Sequence, residues 1–470
     1  MKCLWRLHDF YHAIQGTTSK EVPTGYITGI SIDSRSIEPG EAFFAIKGHR
    51  YDGHDYVMDA IHKKASLVVI NSEKVSSIKS LESLEIPILL VENVLSALKK
   101  LAIAARLRSK ARIIAITGSV GKTTTKEMLK QTLSSIGKTH VCRDSYNNHI
   151  GVPLTLACLS DDAEFGIFEL GMSHSGEIRL LTELVRPHIA VITTVAPAHI
   201  GNFSGMEEIA SAKAEIIEGL EKTGSILLNH DNAYFGFIKE RCHARGIHKI
   251  FSFGQSIDAD FQMLTFNQSL EQSCMTLNIK GQSLSMTNHA LGKHMAYNIL
   301  ATLGVASLLN ANVDEAISAL SAFHSLKGRG KRYRLALNTG FFTLIDESYN
   351  ANPASMAAAI SVLAQIAPYG KGRRIAVLGD MGDLGEMSES FHADLAIILS
   401  SHHISHVWLM GKHMMALKKA LPKTIHAQHY ERIEDLLSYI QGSLREGDVM
   451  LIKSSHMCGF DRIVQFLLEK

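Results

Sequence analysis

The stretch ARIIAITGSVGKTTTKEM, residues 111–128, narrows the choice of fold more than any other part of the chain. An apolar run enters a glycine-rich turn and leaves as a helix, so strand, loop and helix follow each other with no room for another element. A loop of this kind, Gly118-Ser119-Val120-Gly121-Lys122-Thr123-Thr124, turns successive backbone N–H groups toward phosphate oxygens, and the helix behind it adds its positive end. Lys122 is spaced to reach β- and γ-phosphates, and the Thr123 hydroxyl is placed to ligate Mg²⁺. The strict G-x-x-x-x-G-K-[ST] pattern is not met, because Ile116 stands where the first glycine would be. The loop predicts binding of a nucleoside triphosphate such as ATP. It leaves open whether a kinase, a motor, a GTPase switch or a ligase uses the phosphoryl group.

Downstream, apolar strands and helices alternate: FGIFELG, GEIRLLTELV, HIAVITTV, MEEIASAKAEIIEGL and SILLN. Near-continuous apolar strands between helices predict a parallel sheet covered on both faces. Three regions separate by pattern. Short strands and turns fill residues 1–92, the phosphate-loop region spans 93–325 and ends after the helix HMAYNILATLGVASLL, and residues 326–470 carry FFTLID, RIAVLGD, HVWLMG and DVMLIKS as strands of a smaller open α/β unit. The expected class is α/β in three domains: a small α/β N-terminal domain, a central P-loop-type parallel-sheet domain and a C-terminal Rossmann-like domain.

Three polar residues of the central region stand at or after strand ends, where ligands bind in open α/β sheets. Glu169 ends FGIFEL, His199 follows HIAVITTV in VAPAHIG, and Lys213 lies on the helix MEEIASAKAEIIEGL. Magnesium prefers oxygen, which makes Glu169 a natural ligand, whereas His199 and Lys213 gain meaning only in its company.

Composition excludes several function classes. A net charge of +2 over 470 residues gives no field that would favour nucleic acid or a membrane surface. Six scattered cysteines form no C-x-x-C pair and suit a reducing compartment. The opening MKCLWRLHDF has no apolar signal core, no run approaches a membrane span, and a cytoplasmic location is expected. His402, His403 and His406 are clustered but lack a neighbouring carboxylate or cysteine, and read as a solvated face.

ITGSVGKTTTKEM, FELGMSHSGEI, VAPAHIGNF and SAKAEI together resemble the ATPase core of the Mur ligases, and the whole chain is similar to their three-domain plan. SIDSRSIEPGEAFFAIKGHRYDGHDYV resembles the UDP-sugar-binding N-terminal domain of the peptide-adding members. IDESYNANPASM resembles the signature of the branch that adds D-alanyl-D-alanine to a UDP-N-acetylmuramoyl-tripeptide, and the Asp-Asn-Pro-Arg signature of the branch adding the third residue is absent. The resemblance implies an ATP-dependent carboxylate–amine ligase of peptidoglycan precursor synthesis, working through an acyl phosphate and expected to be a monomer.

It also implies roles. Thr123 and Glu169 would bind one Mg²⁺, and Glu169, His199 and a carbamylated Lys213 a second. Asn298 would contact adenine, Arg329 the γ-phosphate, Asp346 and Glu347 the ribose, and Tyr349 the adenine. Asn350 and Asn352 would hold the dipeptide. Asp33, Ser34, Arg35, Asp52, Gly53 and His54 would shape the uridine site, and Asn147 and Asn148 would lie along the substrate path. The chain departs from the family at Met295, where an asparagine is usual, at Glu347, where aspartate is common, and at Lys453-Ser454-Ser455-His456, where Lys-Gly-Ser is common. ATP is expected to draw the second and third domains together about a hinge near residues 325–330, where Leu326–Gly330 is glycine-rich. Competing expectations are a ligase adding the third residue, a folylpolyglutamate-type ligase, an NTP-dependent switch, and a dehydrogenase suggested by IAVLGDMGDLGE, which lacks G-x-G-x-x-G.

Overall fold

The structure is a computed structural model that describes residues 3–18, 24–78, 86–142, 145–269, 271–338 and 340–469. Each of the three regions carries its own main sheet. The first has five strands in the order Thr17–Thr18, Ile88–Val91, Leu67–Asn71, Glu41–Phe44, Gly29–Ser31, parallel except for the first pair. Side chains alternate across it with the period of two that a strand imposes. Phe43, Val68 and Ile70 bury on one face among Val57 and Ala60. Phe44, Leu67 and Val69 bury on the other among Phe10, Leu98 and Leu101. The second face joins the core of the central region, so the helix Val94–Arg108 is shared packing between the two.

A turn at the end of this sheet is locked by charge. Asp52 Oδ1 accepts from the His54 backbone at 3.1 Å and from its Nδ1 at 2.5 Å, while Nε2 of the same ring accepts from the Asn71 backbone at 3.0 Å. Burial raises the Asp52 carboxyl, but the His54 hydrogen bonds and the Lys74 ammonium outweigh it and bring its pKa down to about 2.

The central sheet has nine strands, in the order Gln282–Asn288, Ser273–Ile279, Phe261–Gln268, Ile250–Gly254, Ser225–Asn229, Ile189–Ile192, Arg112–Thr117, Phe165–Glu169, Thr139–Val141. From Phe261–Gln268 to Thr139–Val141 the pairing is parallel, as expected. The outer two pairs are antiparallel and extend the predicted parallel sheet. The reason is visible in burial: Ser273–Ile279 alternates buried and half-buried residues, the mark of a strand covered on one face only. Ile114 and Ile116 face the helices Lys122–Ser134 and Lys293–Leu308 through Met128, Leu129, Ile299 and Leu303, whereas Ile113 and Ala115 face Leu101, Val152 and Ile178.

The third sheet has six strands, in the order Lys331–Leu337, Gly340–Glu347, Val449–Lys453, Arg374–Gly379, His406–Met410, His426–Tyr430, parallel after the first antiparallel pair. His406 lies in register with His426, ring centroids 5.2 Å apart. Among the described residues no helix is long and apolar enough to cross a membrane.

The depressed Asp52 carboxyl stabilises the fold at pH values above its ordinary range near 4, and that contribution fades as pH falls toward about 2. Asp52→Asn is expected to lower unfolding stability by about 1–2 kcal/mol at neutral pH. The gap to the wild type should close in acid, as read by denaturant melts at several pH values.

Candidate active site

Parallel register builds the site. Pairing of Phe165–Glu169 with Arg112–Thr117 sets Glu169 beside Ile116, one residue before the strand ends and the phosphate loop begins. The loop then needs two backbone conformations that side chains resist. Gly118 has φ of 147° and Gly121 has φ of 87°. A Cβ at Gly121 would come within 2.5 Å of Asn298 Oδ1, and one at Gly118 would strike Thr193 and come within 3.1 Å of the Thr194 backbone nitrogen. The loop is anchored from beneath, with Ser119 N donating to Thr194 O at 2.8 Å, Ser119 Oγ to Ala196 O at 2.7 Å and Thr193 Oγ1 to Val120 O at 2.6 Å. Lys122 arches over it and donates to Gly118 O at 2.6 Å.

Glu169 is 1% exposed, and both its oxygens are held. Thr123 Oγ1 donates to Oε2 at 2.9 Å and Asn147 Nδ2 to Oε1 at 2.8 Å. His199, with φ of 56°, lines the same cavity, and its Nδ1 lies 2.9 Å from Asp383 Oδ2 of the third domain. Lys213 is 3% exposed, in the last turn of the helix Met206–Ala214. Burial, reinforced by the charge of Lys122, holds its amine well below the ordinary lysine value. Burial likewise lowers Lys122, with Glu169 pulling it up and Arg329 adding to the lowering. His199 is lowered by burial against the pull of Asp383, and both Lys122 and Lys213 act on it. Glu169, His199 and Lys213 thus each interact through charge with Lys122.

Lys122, Thr123, Glu169 and His199 border a cavity of about 1410 Å³ reached by all three domains, and Lys213 does not line it. The central domain contributes Ser119, Val120, Gly121, Lys122, Thr123, Thr124, Asn147, Asn148, Glu169, His199 and Asn298. The third contributes Arg329, Glu347, Tyr349, Asn350 and Asn352, and the first contributes His49. Arg329 stacks on the Tyr349 ring at 4.1 Å. Asn298 Nδ2 contacts Met295 Sδ at 3.9 Å, so the methionine that departs from the family supplies a weak acceptor where an amide is usual.

Several expected residues do structural work in this geometry. Asp346 is fully buried: its Oδ2 accepts from Gly328 N at 2.7 Å and its Oδ1 from Ser348 N at 3.2 Å and Ser348 Oγ at 2.6 Å. Its carboxylate is thus spent on the linker, and of the acidic pair only Glu347 faces the cavity. Within the glycine-rich segment Gly328 N binds Asp346, Gly330 N binds Asp346 O at 2.8 Å and Tyr349 N binds Gly328 O at 3.1 Å, so Gly328 and Gly330 are tied to the third domain, while Leu326 packs on the core of the central one. Asn148 Oδ1 accepts from Ile150 N and Gly151 N, and Asn352 Oδ1 caps the helix Pro353–Gln365. Asp33, Ser34, Arg35, Asp52, Gly53 and His54 do not border the cavity. Asp33 and Arg35 form an exposed pair at 2.7 Å, Ser34 is buried, and both His54 ring nitrogens are used within the first domain. Gly118 does not border the cavity either.

Two further residues, to which the sequence assigned no role, stand at the site. Lys453, 1% exposed, donates to Glu347 Oε2 at 3.2 Å and Asn350 O at 2.8 Å. Its signal was a charge closing the apolar strand Val449–Lys453, in register with Glu347. Ser454, which departs from the family, fits because Gly379 faces it, and a Cβ there would come within 2.7 Å of Ser454 Cβ. Asp383 is the second, in the stretch that suggested a dehydrogenase. Asp380 of that stretch is otherwise engaged: its Oδ1 accepts from His413 N at 3.1 Å and Met414 N at 3.0 Å.

The three domains match, in chain order, the Mur ligase family catalytic domain over residues 26–106, the Mur ligase middle domain over 116–306 and the Mur ligase glutamate ligase domain over 331–456. The chain belongs to the Mur ligase family. It is 33% identical to the UDP-N-acetylmuramoyl-tripeptide–D-alanyl-D-alanine ligase of Rickettsia prowazekii, over 93% of this chain and 94% of that protein. It is 32% identical to the ligase of the same name from Bacillus subtilis, over 94% and 93%. Its fold is similar to the crystal structure of MurF from Acinetobacter baumannii, with a TM-score of 0.86 and 29% identity over 99% of each chain.

Gly121→Ala is expected to force a left-handed alanine against Asn298 and weaken nucleotide binding about tenfold or more, while the circular dichroism spectrum is retained. Calorimetric titration with ADP checks it.

Proposed function

We propose that this chain joins D-alanyl-D-alanine to the terminal carboxylate of a UDP-N-acetylmuramoyl-tripeptide, with ATP converted to ADP and phosphate, as a cytoplasmic monomer. The domains are taken as residues 1–92, 93–325 and 326–470. The names of the ligases it resembles support the substrates. The observation that carries the chemistry is one cavity in which the phosphate loop, Glu169 and His199 meet Arg329, Glu347 and Lys453 of another domain.

A carboxylate does not react with an amine at neutral pH, because oxide is a poor leaving group. Transfer of the γ-phosphoryl group makes the leaving group phosphate. The backbone of Gly118–Thr124 and Lys122 would hold the triphosphate, and Arg329 would approach it from the third domain. Asn298 and Tyr349 would border the adenine, and Glu347, set by Lys453, the ribose. Asn350 and Asn352 would line the dipeptide's approach, and Asn147 and Asn148 the tripeptide's. The substrate carboxylate attacks the γ-phosphorus and ADP leaves. The dipeptide amine then attacks the acyl carbon, and phosphate leaves with one former carboxylate oxygen. Closure of the domains around the intermediate would keep water from the acyl phosphate.

The donors fit magnesium. Thr123 Oγ1 and Glu169 Oε2 are hard oxygens already 2.9 Å apart. Among the described residues no group of three His, Cys, Asp or Glu side chains could hold a metal ion, so a second ion at Glu169 and His199 would need a further anionic ligand. Lys213 would supply it: a buried amine driven toward its neutral form is the form that adds carbon dioxide, and the carbamate so made offers oxygen. Magnesium, when bound, offsets charge spreading over the transferring phosphoryl group.

Phosphate release should require both organic substrates and fall sharply when glutamate or single amino acids replace D-alanyl-D-alanine. Steady hydrolysis of ATP alone would instead favour a switch. Lys122→Ala should reduce turnover by about 10³-fold or more with the fold intact. Lys213→Ala should lose activity and regain part of it with added short-chain carboxylates.

A further inference from the structure

Asp383 meets the site from the far side of a domain boundary. It stands in the loop after the strand Arg374–Gly379, with φ of 58°, and its carboxylate Oδ2 lies 2.9 Å from His199 Nδ1. Its own carbonyl accepts from Gly201 N at 3.0 Å. The backbones can come this close because Gly201 faces Gly385, and a Cβ on Gly201 would lie 2.7 Å from Gly385 Cα. The contact is thus a docking surface between the central and third domains, with His199 and Asp383 at its edge.

An ionised carboxylate only accepts hydrogen bonds, whereas a neutral imidazole has one donor and one acceptor nitrogen. Asp383 therefore places the ring proton on Nδ1 and leaves the Nε2 lone pair free. Asp383 is 54% exposed, so its charge is screened and the directional hydrogen bond carries the effect. We infer that Asp383 is a positioning residue for His199, setting the tautomer and ring orientation that a metal ligand needs, and that it does so only while the third domain is docked. This rests on the reading of His199 as a metal ligand. Because the two residues belong to different domains, docking strengthens metal binding, and metal binding, by reciprocity, strengthens docking. Lys122 and Lys213 act on the ring from the central domain.

The test is a titration of the full chain with Mn²⁺ in the presence of ADP, followed by electron paramagnetic resonance. Removing such a partner typically weakens metal affinity by about 10–100-fold. Asp383→Ala should weaken Mn²⁺ about tenfold or more. Asp383→Asn, whose amide oxygen still accepts from Nδ1, should recover most of that loss. His199→Ala should weaken Mn²⁺ at least as much as Asp383→Ala. Unchanged affinity in Asp383→Ala beside a weakened His199→Ala would overturn the inference and leave the metal site standing. Equal losses in Asp383→Ala and Asp383→Asn would also overturn it. Unchanged affinity in His199→Ala would remove the metal-ligand reading and the inference together.

Discussion

The Thr123–Glu169 hydrogen bond depends on a register of two parallel strands, and the rest of the site is arranged around it. One residue of slip between Arg112–Thr117 and Phe165–Glu169 would turn Glu169 to the opposite face of the sheet. Burial of Ile114 and Ile116 on one face and of Ile113 and Ala115 on the other fixes that register. The core therefore holds a carboxylate at the mouth of the phosphate loop, and Asn147 satisfies its second oxygen so that it is not left unpaired in a dry place.

A second constraint is that the site is divided between domains. The central domain holds phosphate and metal donors, while the third brings a cation, an acid and an aromatic ring. Arg329 reaches the cavity because the linker behind it is pinned: Asp346 spends both oxygens on Gly328 and Ser348. A fully buried carboxylate is tolerated there because each oxygen finds a donor. Gly328 and Gly330 on either side of Arg329 are thereby tied to the strand and turn that carry Glu347 and Tyr349. The His199–Asp383 and Gly201–Gly385 contacts mark the other end of the same domain boundary.

Much of this was legible in the sequence. The phosphate loop announced itself because its chemistry demands glycine and lysine at fixed spacing. The inner parallel strands were legible because burial on both faces leaves them continuously apolar. The antiparallel strands Ser273–Ile279 and Gln282–Asn288 went unread because residues alternating in exposure do not stand out between apolar strands. Asp346 and Glu347 are adjacent acids that sequence cannot tell apart, yet the strand turns one inward to the linker and the other to the cavity. Asp383 was invisible as a partner of His199, since 184 residues separate them and only domain docking joins them.

The central claim is that the substrate carboxylate itself takes the phosphoryl group before the amide forms. Labelling the terminal carboxylate of the UDP-tripeptide with oxygen-18 and analysing the released phosphate by mass spectrometry tests it directly. Transfer of one labelled oxygen into phosphate for each amide formed is the predicted result. Amide formation with unlabelled phosphate would contradict it.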